Sequence, residues 1–305
     1  MNVILLELKA DGCGRLAMRP PFPFYATVAI MQKYVVLEKA VGQTPLESAE
    51  IWRAAHTEFT GVPLAYAGRL DPMASGKLLI LIGDECKVQE KYHNLDKEYE
   101  FSVLFGVSSD TADVLGRLSV SDTTLEISAE TLNIITKKLV GNVTLPYPHF
   151  SSKTVKGKPL HVWTLEGRLS EIEIPTKQST IYKLKLTKLK TKTRAEIYNE
   201  VSVKIESVTP VTDPSKALGN DFRRVDVRKD WKLFLETGNP ADTFTIATFT
   251  CIASSGTYMR TLAEVIAKQA VTTALAYHIH RSTIGNYRPL PLGLGFWLKQ
   301  FKNLF

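Results

Sequence analysis

The stretch Gly68-Arg69-Leu70-Asp71-Pro72-Met73-Ala74-Ser75-Gly76 sets one carboxylate between two glycines, with proline directly behind it. Glycine permits backbone angles and close approaches that a side chain forbids, and proline stiffens the chain after the acid. A rigid loop that presents an acid from the edge of a packed element is how a catalytic carboxylate is held still. The same residue types also make an ordinary turn, and spacing alone leaves both readings open. A second reactive group is Arg260, in Ser255-Gly256-Thr257-Tyr258-Met259-Arg260-Thr261-Leu262. Tyr258, Leu262 and Val265 or Ile266 fall at helical spacing, so Arg260 lies in a first helical turn. The helix dipole disfavours a cation there, and a specific partner would explain it. Tyr99 belongs to Lys97-Glu98-Tyr99-Glu100-Phe101, which alternates polar with apolar like a half-buried strand.

The Asp71 nonapeptide resembles the signature of the TruB family of tRNA pseudouridine synthases, Gly-x-Leu-Asp-Pro-x-Ala-Thr-Gly, with Ser75 in place of threonine. The Arg260 octapeptide is similar to the family's Ser/Lys-Gly-Thr-Tyr-Ile-Arg-x-Leu. Looser blocks follow in order. Lys97-Glu98-Tyr99 matches a Lys-x-Tyr strand, and Ser109-Asp110-Thr111-Ala112-Asp113 resembles Thr-Asp-Thr-x-Asp. Arg281-Ser282-Thr283-Ile284-Gly285-Asn286-Tyr287 resembles a closing Arg-Thr-x-x-Gly-x-Phe. Glu38-Lys39-Ala40-Val41-Gly42-Gln43-Thr44-Pro45 is similar to the first family motif, departing at Glu38, Ala40 and Pro45. Pro146 to Lys153 resembles a proline, aromatic and serine segment, after which His161 and Leu165 replace a tyrosine and an arginine.

This resemblance implies an α+β fold, the pseudouridine synthase catalytic core, with a mixed, largely antiparallel sheet flanked by helices. It implies isomerisation of uridine in the T arm of tRNA, at position 55, by base flipping and attack by Asp71. Arg260 would hold that carboxylate, and Tyr99 would pack on the uracil and take its C5 proton. Lys39, Tyr66, Arg69, Lys97 and Tyr258 would contact the RNA, with Tyr66 standing where many bacterial members carry a histidine. On sequence alone Lys39 also reads as a solvated lysine and Tyr66 as a core aromatic. The alternative function is a non-catalytic RNA-binding or tRNA-folding protein on the same scaffold.

The positioning elements follow from pattern. Lys77-Leu78-Leu79-Ile80-Leu81-Ile82 reads as a buried strand or short helical segment, and Val35-Val36-Leu37 as a strand. Thr44, Pro45 and Glu47 form a capping box opening a helix with Leu46, Ala49, Trp52 and Ala55 on one face. Ser128 caps a helix with Leu132, Ile135 and Leu139 inward and Gly141 as its stop. Tyr182 to Lys190 is an amphipathic strand with a lysine face, read either as a guarded edge or as a phosphate-tracking surface. Phe244 to Ala253 is another strand-forming run. Residues 191–242, with Arg223-Arg224 and Arg228-Lys229, read as an insertion adding basic surface to a catalytic domain over 34–290. Residues 1–33 are an extension of unknown role, and 291–305 a short tail without room for a C-terminal PUA domain.

At 305 residues, 44% hydrophobic and 23% charged, the chain can bury a full core. Its net charge of +7 favours a polyanionic partner. No apolar run approaches the roughly 18–20 residues that span a bilayer. Three scattered cysteines and six histidines without ligand spacing argue against a disulfide framework or a zinc site. No dinucleotide or Walker motif is present, so no cofactor is implied. The expectation is a cytoplasmic monomer that takes tRNA as partner, without membrane, metal or cofactor.

Overall fold

A computed structural model describes residues 32–120, 127–211 and 221–302. Nearly all of the expected N-terminal extension, with Cys13, and the end of the C-terminal tail lie outside these residues. In chain order the strands are β1 (Tyr34–Lys39), β2 (Leu64–Ala67), β3 (Ser75–Ile82), β4 (Asp96–Phe105), β5 (Val107–Ser109) and β6 (Leu118–Val120). They continue with β7 (Gly141–Pro146), β8 (Thr154–Val155), β9 (Lys158–Pro159), β10 (Thr176–Thr193), β11 (Thr243–Ala253), β12 (Ala274–Pro289) and β13 (Gly295–Gln300). The helices are α1 (Pro45–Ala55), α2 (Ala129–Leu139), α3 (Leu160–Leu165), α4 (Arg194–Ser207), α5 (Arg224–Glu236) and α6 (Met259–Gln269).

The main sheet runs β1-β3-β12-β4-β11-β10-β7, with β13 added to β12 and β2 to β3. Its pairings are antiparallel except for β3 beside β12, which is parallel over two residue pairs. The expected mixed, largely antiparallel sheet with helices is therefore the observed architecture. The aliphatic run in β3 is a strand buried on both faces. Leu79 and Leu81 join Val36, Leu95, Ile284 and Phe301, whereas Leu78, Ile80 and Ile82 join Val35, Ala49 and Phe59. A strand with a core on each side needs apolar residues at every position, which explains the unbroken run.

Local signals act as expected at most helix starts. Thr44 and Glu47 close a capping box on α1, and Ser128 accepts from the Thr131 amide to start α2. The inward face of α1 differs from its apolar spacing: Ser48 and Ala49 are buried, and Leu46 is 57% exposed. The Ser48 hydroxyl donates toward Gln43 Oε1 and the Thr44 carbonyl, so a satisfied polar residue takes an inward place.

The described parts of the expected insertion, 191–211 and 221–242, contribute to the core. Ile197, Val201 and Ile205 of α4 join Val227, Trp231 and Phe234 of α5 in the main core. The Trp231 indole donates to the Val114 carbonyl at 3.0 Å. Arg194, Arg223, Arg224 and Arg228 are paired with Asp242, Asp110, Asp221 and Glu206, so these guanidinium groups add little free charge. The lysine-bearing part of β10 pairs with β11 on one side, while β7 covers only Thr176–Ile181 on the other. Lys183, Lys185 and Lys188 are exposed there, which suits the guarding of an open edge. Cys86 and Cys251 are free thiols. Among the described residues no helix is long and apolar enough to cross a membrane.

Gly76 sits where β1, β3 and β12 meet, opposite Lys39 and Arg281. Its φ is +106°, and a Cβ there would lie 2.3 Å from the Arg281 carbonyl oxygen. Gly76→Ala is expected to cost about 3–4 kcal/mol through steric overlap and strain. A thermal melt should therefore show the midpoint falling by roughly 10 °C. A fall of less than about 2 °C would mean that β12 can move away freely.

Candidate active site

The Asp71 loop joins β2 to β3 and is anchored from below. Leu70, Met73 and Ala74 are buried, the Ala74 amide donates to the Asp71 carbonyl at 3.0 Å, and the Gly42 amide donates to that of Pro72 at 2.8 Å. Arg281, only 1% exposed, spans the loop's two ends. Its Nε donates to the Lys77 carbonyl at 2.7 Å, and its terminal nitrogens donate to the Arg69 and Gly68 carbonyls at 3.2 Å each. Gly68, at φ +88°, lets the chain turn within reach of that guanidinium.

Arg260 occupies the first turn of α6, the place where the sequence leaves a cation in need of a partner. Its Nε donates to Asp71 Oδ2 at 2.8 Å. Nη1 donates to the Thr111 carbonyl at 2.8 Å and Nη2 to that of Phe150 at 3.3 Å. A second carboxylate oxygen, Asp113 Oδ2, lies 3.7 Å from Nε. The other oxygen of Asp113 accepts from the Thr111 hydroxyl at 2.7 Å and the Leu115 amide at 2.9 Å. Burial works against the charge on Arg260, but Asp71 and Asp113 more than offset it and hold the group above the ordinary arginine range. Burial likewise pushes the Asp113 carboxyl up, with Arg260 opposing. The Arg260 side chain is 4% exposed and that of Asp71 34%. The clamp is therefore covered while the carboxylate keeps an open side.

That open side faces a cavity of about 930 Å³. Asp71, Tyr99, Arg260, Arg69, Lys97 and Tyr258 all line it. Tyr99 stands in β4 between Cys251 of β11 and Arg281 of β12. Burial raises the Tyr99 phenol above its ordinary pKa, while the neighbouring Arg281 guanidinium works the other way. Tyr258 is half-buried and meets Tyr147 edge-on, with ring centres 5.8 Å apart. Lys97 is almost fully covered, and donates to the Leu95 carbonyl and to Ser255 Oγ.

Two expected RNA contacts fall outside the cavity lining. Lys39 is neither solvated nor free to meet a phosphate, because it is fully buried beneath the loop. It donates to the Ala40 carbonyl at 2.9 Å and the Gln43 carbonyl at 2.7 Å. Burial lowers its pKa to about 8, with Asp71 opposing. Tyr66 packs with the cluster around Phe59, Leu78 and Ile80, whereas its neighbour Ala67 joins the cluster around Leu79 and Leu81. Strand alternation sends the two side chains to opposite faces, and the Tyr66 ring serves that core. Arg281 and Asp113 are the groups to which the sequence assigns no role. Each stands in a matched block, but only folding shows what each one touches. Among the described residues no group of three or more His, Cys, Asp or Glu is arranged to hold a metal.

Comparison with known proteins gives this site a class. A family model described as "TruB family pseudouridylate synthase (N terminal domain)" matches residues 59–209, which carry Asp71, Tyr99 and Asp113. A relative named "tRNA pseudouridine synthase B", from Caldicellulosiruptor saccharolyticus, is 32% identical over 51% of this chain and 52% of its own. One named "tRNA pseudouridine synthase 4", from Saccharomyces cerevisiae, is 35% identical over 41% of this chain and 31% of its own. A "tRNA pseudouridine synthase B" from Listeria innocua is 27% identical over 88% of this chain and 68% of its own. In the first two, the chain spans about half the relative's length or less. The chain belongs to the TruB family of pseudouridine synthases.

The buried lysine gives a stability test. Lys39 has a folded pKa of about 8, below its ordinary 10.5. Between those values the unfolded chain binds more protons, so stability from this site rises with pH. Relative to Lys39→Met, the wild type should gain roughly 2 kcal/mol from pH 8 to 10.5, read from urea unfolding across that range. Other titrating groups cancel in the difference. A difference independent of pH would show that Lys39 keeps its ordinary pKa.

Proposed function

We propose that the chain is a tRNA pseudouridine synthase, isomerising uridine to pseudouridine in the T arm at position 55. The observation that carries this reading is the 2.8 Å contact between a cavity-facing Asp71 and a covered Arg260. The names of the relatives support tRNA as the substrate class.

A uridine in a folded loop hides its reactive atoms, so the base must first be turned out, at a cost of about a few kcal/mol. Asp71 then attacks the sugar C1′ or the uracil C6, or the reaction passes through elimination to a glycal. In each route the N1–C1′ bond breaks, the freed uracil turns, and a C5–C1′ bond forms. The proton on C5 leaves and N1 gains one, so composition is unchanged and no oxidant or water is consumed. Dividing one difficult displacement into two easier steps is what a carboxylate nucleophile contributes. Arg260 aims Asp71 through a charge-assisted hydrogen bond. Tyr99 supplies a flat face for the base and receives the C5 proton. Burial makes its phenolate a strong base but a scarce one, and the Arg281 guanidinium beside it favours that form.

Asp71→Asn should bind unmodified tRNA transcript within about threefold of wild type and give less than roughly 1% of its product. Chemical mapping of pseudouridine would locate the modified position. Retained turnover above that level overturns the nucleophile assignment, and an Asp71→Asn protein that still does all the cell requires favours the non-catalytic reading. Arg260→Lys should lower kcat on the order of 10²–10³-fold and change KM only a few-fold, by tritium release from 5-labelled uridine. The lysine variant retains a cation, since emptying the site would strand buried carboxylates at about 3–5 kcal/mol. A loss confined to KM would remove Arg260 from the chemistry.

A further inference from the structure

Most arginines on this molecule that reach solvent are matched by an acid. Arg117 pairs with Asp230, Arg168 with Glu171, Arg223 with Asp110 and Arg228 with Glu206. A group beside the cavity departs from that pattern. Lys97 of β4 and Lys177 of β10 converge on the turn that follows β11, where Lys97 Nζ donates to Ser255 Oγ at 3.1 Å and Lys177 Nζ to the Ser255 carbonyl at 2.7 Å. Lys97 and Ser255 line the cavity together with Arg69 and Arg281. Among the described residues none of these four cations has a carboxylate oxygen within 4.0 Å. Asp96, the acid next to Lys97 in sequence, is committed elsewhere, accepting from the Tyr182 hydroxyl at 3.1 Å and the Tyr287 amide at 2.8 Å.

Gathering cations in a covered place without a counter-ion is costly, and the cost shows on Lys97. Burial, with Arg281 and then Lys177 adding repulsion, lowers it to about 7 despite Asp96. The protein hydrogen bonds do not use up the donors. An ammonium has three N–H groups; Lys97 places two and Lys177 one. The cluster also begins at the reacting loop: the Cβ position of Gly68 is 3.5 Å from Lys97 Cε and 3.8 Å from its Nζ. Gly68 stands three residues before Asp71, so an anion held here would be carried by the molecule whose other end meets that carboxylate.

We propose that Lys97, Lys177 and the Ser255-Gly256 turn form an anion subsite that seats a backbone phosphate beside the nucleotide lying in the cavity. The assignment rests on the reading that RNA occupies the cavity. Its role is to fix the sugar at a set distance from Asp71, a task separate from the clamp that Arg260 places on the carboxylate. Lys177 is the half-buried, adjustable member, and Lys97 the covered one whose charge the phosphate would restore.

The test uses the full chain and a synthetic T-arm hairpin carrying unmodified uridine. Affinity is measured across salt for wild type and Lys177→Gln. The variant should bind about tenfold more weakly at 0.1 M salt, and its log–log salt slope should fall by about 0.7–0.9, the loss of one phosphate contact. Hairpins with a single neutral methylphosphonate, moved one position at a time around the target uridine, identify the phosphate. At one position the replacement should weaken wild type by the same factor and leave Lys177→Gln unchanged. An unchanged slope, or methylphosphonate losses that add to the substitution at every position, overturns the subsite alone. A wild type that does not bind the hairpin overturns the RNA reading and the subsite with it.

Discussion

Arg260 is a buried cation between two carboxylates, and the site around it depends on how that charge is shared. One guanidinium takes Asp71 at 2.8 Å, approaches Asp113 at 3.7 Å and donates from its two terminal nitrogens to the Thr111 and Phe150 carbonyls. Those partners come from the β2–β3 loop, the segment between β5 and β6, and the chain after β7. Removing any one leaves a charge or a carbonyl buried without its partner, which is much costlier than losing a surface pair. The arrangement also accounts for Arg260 at a helix N-terminus, where the dipole opposes it. Two nearby carboxylates offset a dipole effect worth up to about 2 kcal/mol where the group is partly buried.

A second arginine does for the main chain what Arg260 does for the side chain. Arg281 joins the Gly68, Arg69 and Lys77 carbonyls, so the two ends of the reacting loop are tied to β12. This tie falls where β3 runs parallel to β12, against the antiparallel habit of the sheet. Gly76 permits the close approach, since a Cβ there would overlap the Arg281 backbone. The sheet is interrupted in the one place where a carboxylate must be presented.

Sequence shows such a site unevenly, for physical reasons. Strand alternation in β4, the capping box of α1 and the Ser128 cap of α2 are local signals, and they appear where the pattern puts them. Arg260 could be expected to need an acid because its helical position was readable. Lys39 and Tyr66 show why side-chain type alone does not fix surroundings. Lys39 is buried on the Ala40 and Gln43 carbonyls, one and four residues ahead, a chain shape that the residue types do not announce. Tyr66 reads either as an RNA contact or as a core aromatic, and the face a strand residue takes depends on which core lies on which side. The arginines of 191–242 look like basic surface in one dimension, yet their acids come in part from remote positions such as Asp110 and Asp242. The parallel β3–β12 contact leaves no trace in either strand's composition.

Charge along the cavity is unevenly matched. Arg260 lies within salt-bridge distance of Asp71 and Asp113, whereas Lys97, Arg69 and Arg281, which line the same cavity, have no carboxylate oxygen within 4.0 Å among the described residues. Were the cations there only to balance the carboxylates, the two sets would be interleaved at salt-bridge distance, as Arg260 and Asp71 are. Cations left unmatched beside a clamped carboxylate instead favour a ligand that is part anionic and part neutral. On the reading proposed above, a nucleotide meets that requirement, with a charged phosphate and an uncharged pyrimidine. A phosphate brought against Asp71 would meet like charge, which costs several kcal/mol.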